Sequence, residues 1–125
     1  MTTRSGTAAR RQALGAYGEA LAARHLQAAG MVLLDHNWRC PGGELDLVLR
    51  DGDTLVFCEV KTRRSAAYGS PHEAVTPTKA ARVRRAAARW LEAHDLQACH
   101  VRVDLVAVTA PRHGAAAVEH VRGIG

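Results

Sequence analysis

Gly43-Glu44-Leu45-Asp46-Leu47-Val48-Leu49-Arg50-Asp51-Gly52-Asp53-Thr54-Leu55-Val56-Phe57-Cys58-Glu59-Val60-Lys61 is the stretch that decides the fold. Two strand-like apolar runs flank Asp51-Gly52, and Asp-Gly between such runs is a strong hairpin signal. The pattern predicts strands over 44–50 and 53–61, joined by a two-residue turn at Asp51-Gly52. Side chains alternate along a strand, so Glu44 and Asp46 share one face, as do Glu59 and Lys61. With Arg50 opposite Asp53, Asp46 falls opposite Phe57 and Glu44 opposite Glu59. All four polar residues then point the same way, whereas a three-residue loop would set the pairs on opposite faces. Asp46 and Glu59 become diagonal neighbours, roughly 7–8 Å apart at the backbone.

That placement is electrostatically costly. Glu44, Asp46 and Glu59 repel one another, and a single Lys61 does not balance them. Protons or a cation must intervene. A hard divalent cation is the simplest remedy, since it takes carboxylate oxygens at about 2.0–2.5 Å and bridges them to phosphate. An ammonium at Lys61, one pleat beyond Glu59, suits holding an attacking water or neutralising charge on a transferring phosphoryl group. The plain alternative is an exposed Glu–Lys ladder without chemistry. Val48, Leu55 and Phe57, expected on the same face, argue that this face is partly covered.

Outward from the hairpin, residues 9–29 read as a helix, with Leu14, Tyr17, Leu21 and His25 at helical spacing and Gly30 as its stop. Glu19 lies with Ala22, Ala23 and Leu26 on the edge of its apolar stripe. Residues 31–38 read as a strand, followed by a turn at Pro41-Gly42-Gly43. Residues 64–75 are loop. Thr76-Pro77 reads as N-cap and first position of a helix reaching about His94. Its inner face is Ala80, Val83, Ala87, Trp90 and Leu91; its outer face is Lys79, Arg82, Arg85 and Arg89. Residues 100–109 and 116–122 read as strands. The order α-β-β-β-α-β-β implies a mixed β-sheet flanked by helices. It forms one domain over 9–122 behind a loose tail, 1–8.

Composition agrees. The chain has 125 residues, 47% hydrophobic and 23% charged, which suits a single globular domain and excludes a fibre or a disulfide-stapled mini-protein. No long uncharged apolar run predicts a membrane span. Seventeen Lys and Arg against twelve Asp and Glu give +5, an excess that favours a polyanionic partner. Cys40, Cys58 and Cys99 form no CxxC and no zinc spacing. Free thiols, and an amino terminus without an apolar stretch, fit a reducing cytoplasm. Asp104 beside Arg102 reads as a structural ion pair, and Trp38 and Trp90 read as core.

Asp46, Glu59 and Lys61 resemble the D…E-x-K signature of the PD-(D/E)xK, restriction-endonuclease-like nucleases. More closely, residues 12–122 resemble the YraN-like uncharacterised protein family. The resemblance is carried by Gly18-Glu19 with Ala22, Asn37-Trp38-Arg39, Gly43-Glu44-Leu45-Asp46-Leu47, Phe57-Cys58-Glu59-Val60-Lys61-Thr62-Arg63, Ala74-Val75 with Lys79, and Arg102-Val103-Asp104. Leu45 stands where the superfamily name has Pro, and Cys58 replaces the usual Val.

The resemblance implies a restriction-endonuclease-like fold with a metal site at Asp46, Glu59 and the Val60 carbonyl, and with Lys61 as the catalytic lysine. Glu19 matches a first-helix glutamate of the Holliday-junction-resolvase branch, and Glu44 is a further candidate ligand. The expected function is a Mg2+- or Mn2+-dependent nuclease acting on DNA, with branched or damaged structures among its candidate substrates and a homodimer as a candidate state. Arg63, Arg64, Lys79, Arg82, Arg85 and Arg89 are the candidate phosphate contacts, although an ordinary solvated helix face would also carry the last four. The alternative is a non-catalytic nucleic-acid-binding module of DNA repair or recombination.

Overall fold

The computed structural model describes residues 2–65, 67, 69–98 and 100–125, and the side chains of all these except 2–5, 72 and 74. The elements are α1 (Thr2–Ala28), β1 (Val32–Cys40), β2 (Gly43–Asp51), β3 (Thr54–Arg63), a 3-10 turn (Pro71–Ala74), α2 (Pro77–Ala93), β4 (His100–Thr109) and β5 (Ala117–Val121). This is the expected α-β-β-β-α-β-β order. The helix α1 begins upstream of residue 9. Met1, part of the tail expected to be loose, and Cys99, one of the thiols expected to be free, lie outside the described residues. Cys40 and Cys58 are free thiols.

One five-stranded sheet runs β1-β2-β3-β4-β5. Neighbours are antiparallel except β3 and β4, which are parallel with α2 as the crossover. The hydrophobic alternation sends Leu47, Leu49, Val56, Cys58, Val106 and Val108 to the α1 side, against Ala22 and Leu26. It sends Val48, Leu55, Phe57 and Val103 to the α2 side, against Val83, Ala86, Ala87 and Trp90. Thr76 caps α2, its Oγ1 accepting from the Lys79 N–H at 3.2 Å, and Pro77 takes the first turn. Trp90 is core, as its helical spacing predicts. It meets Phe57 edge-on at 5.7 Å, and its Nε1 donates to Asp35 at 2.8 Å.

Two local devices position the rest. Gly18 is buried in α1, and a Cβ there would collide with the Thr62 side chain. The missing methyl lets α1 lie directly on β3 and carries the next residue, Glu19, to the end of the sheet. Asp104 on β4 is fully buried. It accepts from Arg102 at 2.9 and 3.0 Å, from the His120 Nε2 at 2.6 Å and from the Gly123 N–H at 3.0 Å. Burial alone would raise its carboxyl; these hydrogen bonds and the Arg102 charge hold it below the ordinary value instead. The pair with Arg102 is as the sequence suggests, and it fastens β5 and residue 123 to the sheet.

Gly18→Ala should destabilise the protein. In an open helix interior the change usually stabilises by about 0.5–1 kcal/mol. Here overpacking against Thr62 should cost about 1–3 kcal/mol, read as a lower urea midpoint. Asp104→Ala should cost about 3 kcal/mol at pH 7, the scale for removing one partner of a buried charge pair. A carboxyl held below its unfolded value contributes stability above the ordinary carboxylate range and loses it as pH falls through that range. The gap between wild type and variant should therefore narrow from pH 6 to pH 3 in urea titrations.

Candidate metal and nucleic-acid site

The β2–β3 ladder closes at Asp51 and Thr54 and runs through Leu49–Val56 and Val48–Phe57 to Leu47–Cys58. The turn is thus Gly52-Asp53, not Asp51-Gly52. Gly52 adopts φ +63° at the first turn position, where a two-residue hairpin turn needs a glycine. Val48, not Asp46, faces Phe57, and one step past the ladder Asp46 stands level with Glu59. The ladder stops there because Asp46 itself intervenes. Its Oδ2 accepts the Val60 N–H at 2.7 Å, taking a donor that would otherwise face a backbone carbonyl. The two strands part around this carboxylate.

The expectation that Glu44, Asp46, Glu59 and Lys61 share one face is corrected by the packing. Leu45 lies on the α2 side and Leu47 on the α1 side, although strict alternation would place them together. On the neighbouring strand Asn37 has φ +51°, a left-handed conformation that asparagine tolerates better than most residues. The alternation therefore breaks on β2 beside Asp46. On β3 it continues, so Glu59 and Lys61 follow Phe57 to the α2 side. Val48, Leu55 and Phe57 cover that side, while the Asp46 carboxylate lies at the gap.

Glu19 reaches the same gap from α1. It lies within hydrogen-bonding reach of Asp46, and the Asn37 amide nitrogen, in the orientation that satisfies both ends of the amide, donates to its two oxygens at 3.1 and 3.2 Å. Burial pushes the Glu19 carboxyl above its ordinary value; the bonds from Asp46 and Asn37 oppose this, and Glu44 adds to it. Burial pushes Asp46 further, to about 7. The Val60 N–H works against that rise, and the charges of Glu19, Glu44 and Glu59 reinforce it. Glu44 is exposed and pairs with Arg39 at 3.5 Å. Glu59 is half-buried and Lys61 exposed.

Glu19 and Asp46 are thus in contact, while Glu44 and Glu59 act on Asp46 through charge. Among the described residues, no group of three or more His, Cys, Asp or Glu is arranged to hold a metal ion. In kind, the donors fit a hard divalent cation, being all oxygen and mutually repelling. Two carboxyls in contact need a shared proton, and a cation would serve in its place.

The basic residues divide. Arg82 and Arg85 are exposed on α2. Arg89 donates to the Pro41 carbonyl at 2.7 Å and pins the β1–β2 turn. Lys79 is half-buried near the start of α2. Arg64 donates to the Ala110 carbonyl at 3.3 Å. Arg63 is half-buried, and its Nε is fully buried with no hydrogen-bond partner among the described residues. The sequence reading missed the role of Asn37. Its one signal is an asparagine, tolerant of positive φ, inside a strand-like run.

Fold and site together define an open mixed-sheet α/β protein with an acidic cluster where the second and third strands part. The model of Uncharacterised protein family UPF0102 matches residues 18–108, and the chain belongs to that family. It is 62% identical over 123 residues to a UPF0102 protein of a Nocardioides species, covering 98% of this chain and 99% of that protein. It is 62% identical over 115 residues to one from Beutenbergia cavernae, with 92% and 98% covered. A Streptomyces coelicolor relative is 56% identical over 116 residues, with 91% and 89% covered. Among the described residues, no helix is long and apolar enough to cross a membrane.

Asp46→Asn should stabilise the metal-free protein at high pH. An amide oxygen keeps the Val60 bond and removes the charge. Because the folded-state value of Asp46 is raised to about 7, wild type loses stability as pH climbs from the ordinary carboxylate range to that value, then levels off. The variant should gain on the order of 1 kcal/mol at pH 8, about 4 °C in Tm, and nothing at pH 4. Calorimetry in chelator checks this; a wild type more stable than the variant at pH 8 would refute it.

Proposed function

We propose that the chain is a divalent-metal-dependent nuclease of the PD-(D/E)xK, restriction-endonuclease-like superfamily, hydrolysing phosphodiester bonds in DNA, with branched or damaged structures as candidate substrates. One observation carries the reading. Glu19 and Asp46, from different elements, are held in hydrogen-bonding reach of one another, and burial with nearby carboxylates raises Asp46 to about 7. Folding alone gives no reason to keep such a cluster, whereas cation binding does. Lys61 lies just beyond it on β3.

Mg2+ or Mn2+ would be held by Asp46, Glu19 and Glu59, with the Val60 carbonyl and Glu44 as further donors. The bound cation supplies charge neutralisation at the phosphoryl oxygens and a more acidic water. Asn37 keeps the Glu19 carboxylate aimed at the gap. Lys61 positions the water or balances the negative charge that develops as water attacks phosphorus in line and the leaving oxygen departs. Arg63, Arg64, Lys79, Arg82, Arg85 and Arg89 would hold the backbone, with Arg82 and Arg85 the most open to it. Recognition would be through shape and phosphate. A homodimer would bring one site to each strand, and the free thiols suit a cytoplasmic setting.

A second reading is a non-catalytic nucleic-acid-binding module of repair or recombination. It is favoured by the lack of three converging ligands among the described residues.

The test is a cleavage panel with Mn2+ and with Mg2+ on single-stranded, duplex, flapped and four-way-junction DNA, and on RNA. Wild type runs beside Asp46→Ala and Lys61→Ala. We expect DNA cleavage by wild type that falls at least 100-fold in both variants. DNA binding without cutting on any substrate would favour the second reading.

A further inference from the structure

A cleft of about 630 Å3 opens beside β3 and β4, lined among others by Arg63, Ser70, Pro71, Ala107, Thr109 and Glu119. That volume is in the range of small-ligand sites. In the parallel register Lys61 stands beside Ala107 and Arg63 beside Thr109. Alternation from Phe57 and Val103 carries these residues to the α2 side of the sheet. The cleft therefore begins one strand away from Lys61, on the side to which Glu59 and Lys61 project.

Arg63 is fixed there but not satisfied. Its carbonyl accepts the Ala110 N–H at 2.8 Å, which anchors the end of β3. Its Nε is buried without a hydrogen-bond partner among the described residues. That Nε is closed to ligand as well as to water, so an oxyanion in the cleft would meet the outer nitrogens of the guanidinium, whose planar fork of donors suits it. The neighbouring Arg64 differs, because its guanidinium is engaged at Ala110. Along the strand, the step from Lys61 to Arg63 is roughly 6.6 Å, comparable to the distance between successive phosphates of a nucleic-acid strand. Glu119 pairs with Ala107 on β5 and adds a carboxylate to the wall. Its charge disfavours a dianion more than a singly charged diester.

We propose that this cleft is a phosphodiester subsite, in which Arg63 holds the phosphate next to the scissile one. Only the choice of that phosphate rests on the nuclease reading; diester binding at Arg63 rests on the cleft.

The experiment is 15N NMR on the full chain in chelator, titrated with the dinucleotide TpT and, separately, with inorganic phosphate. The expected result is a saturable shift of the Arg63 Nε–H resonance with TpT, accompanied by the Gly69 and Ser70 amides, and a weaker response to inorganic phosphate. Arg63→Ala should weaken TpT binding at least fivefold, and Arg63→Lys should restore part of it. Because the wild-type resonance reports directly, misfolding of a variant would not spare the proposal. It is overturned by TpT shifts confined to Arg82 and Arg85, by tighter binding of inorganic phosphate than of TpT, or by equal affinity in a folded Arg63→Ala. A response at Arg63 without DNA cleavage by the same preparation would support the subsite and count against the nuclease. Cleavage without that response would do the reverse.

Discussion

The hydrogen bond from the Val60 N–H to the Asp46 carboxylate is the constraint on which the rest of the site depends. It sits where a backbone carbonyl would otherwise continue the β2–β3 ladder, and pairing ends at Leu47 and Cys58. A side-chain acceptor in that position leaves the strands parted and the carboxylate at the gap. Everything polar nearby is arranged around that gap. Glu19 arrives from α1, Asn37 steadies Glu19 from β1, and Glu59 and Lys61 continue along β3. A backbone donor also lowers the cost of keeping Asp46 ionised, so one bond both ends the ladder and anchors the carboxylate there.

Much of this architecture was legible in the residues, because the signals were local. Apolar runs around Asp-Gly marked the hairpin, Thr76-Pro77 marked the start of α2, and the spacing of Val83, Ala87 and Trp90 marked its buried face. The register was less legible. An Asp-Gly pair can supply both turn residues, or Asp51 can close the ladder and leave Gly52 as the first turn residue, and only the second choice is realised. The facial break between Leu45 and Leu47 was not legible, since Leu45, Leu47 and Leu49 alternate without interruption in the sequence yet pack on different sides. Contact between Glu19 and Asp46 depends on Gly18 meeting Thr62 across elements. The partnership of His120 with Asp104 likewise arises only when β5 pairs with β4.

The protein places two acids in its interior and treats them in opposite ways. Asp104 is fully buried and receives Arg102, His120 and the Gly123 N–H; its carboxyl is held below the ordinary value despite its burial. Asp46 receives one backbone N–H and faces three other carboxylates; its carboxyl rises to about 7. Both sit on the same sheet, so the fold is able to satisfy a buried acid fully and does so at Asp104. The contrast lies in the neighbours: cations and donors at one, further acids at the other. Asp104 is spent on fastening the carboxyl-terminal strand. Asp46 is left with a single backbone donor among further acids.

The same reasoning sorts the arginines. A guanidinium that closes a turn or caps a carbonyl has its donors committed, as Arg89 has at Pro41 and Arg64 at Ala110. Reaching a phosphate would then cost the contact it already makes. Arg82 and Arg85 are exposed, and their attraction for a polyanion is long-ranged, salt-sensitive and poor in geometry. Arg63 combines a fixed backbone, a desolvated donor and an open cleft. On the proposed nuclease reading, steering by the α2 arginines and positioning at Arg63 would therefore be separate tasks, carried by different elements around the acidic gap.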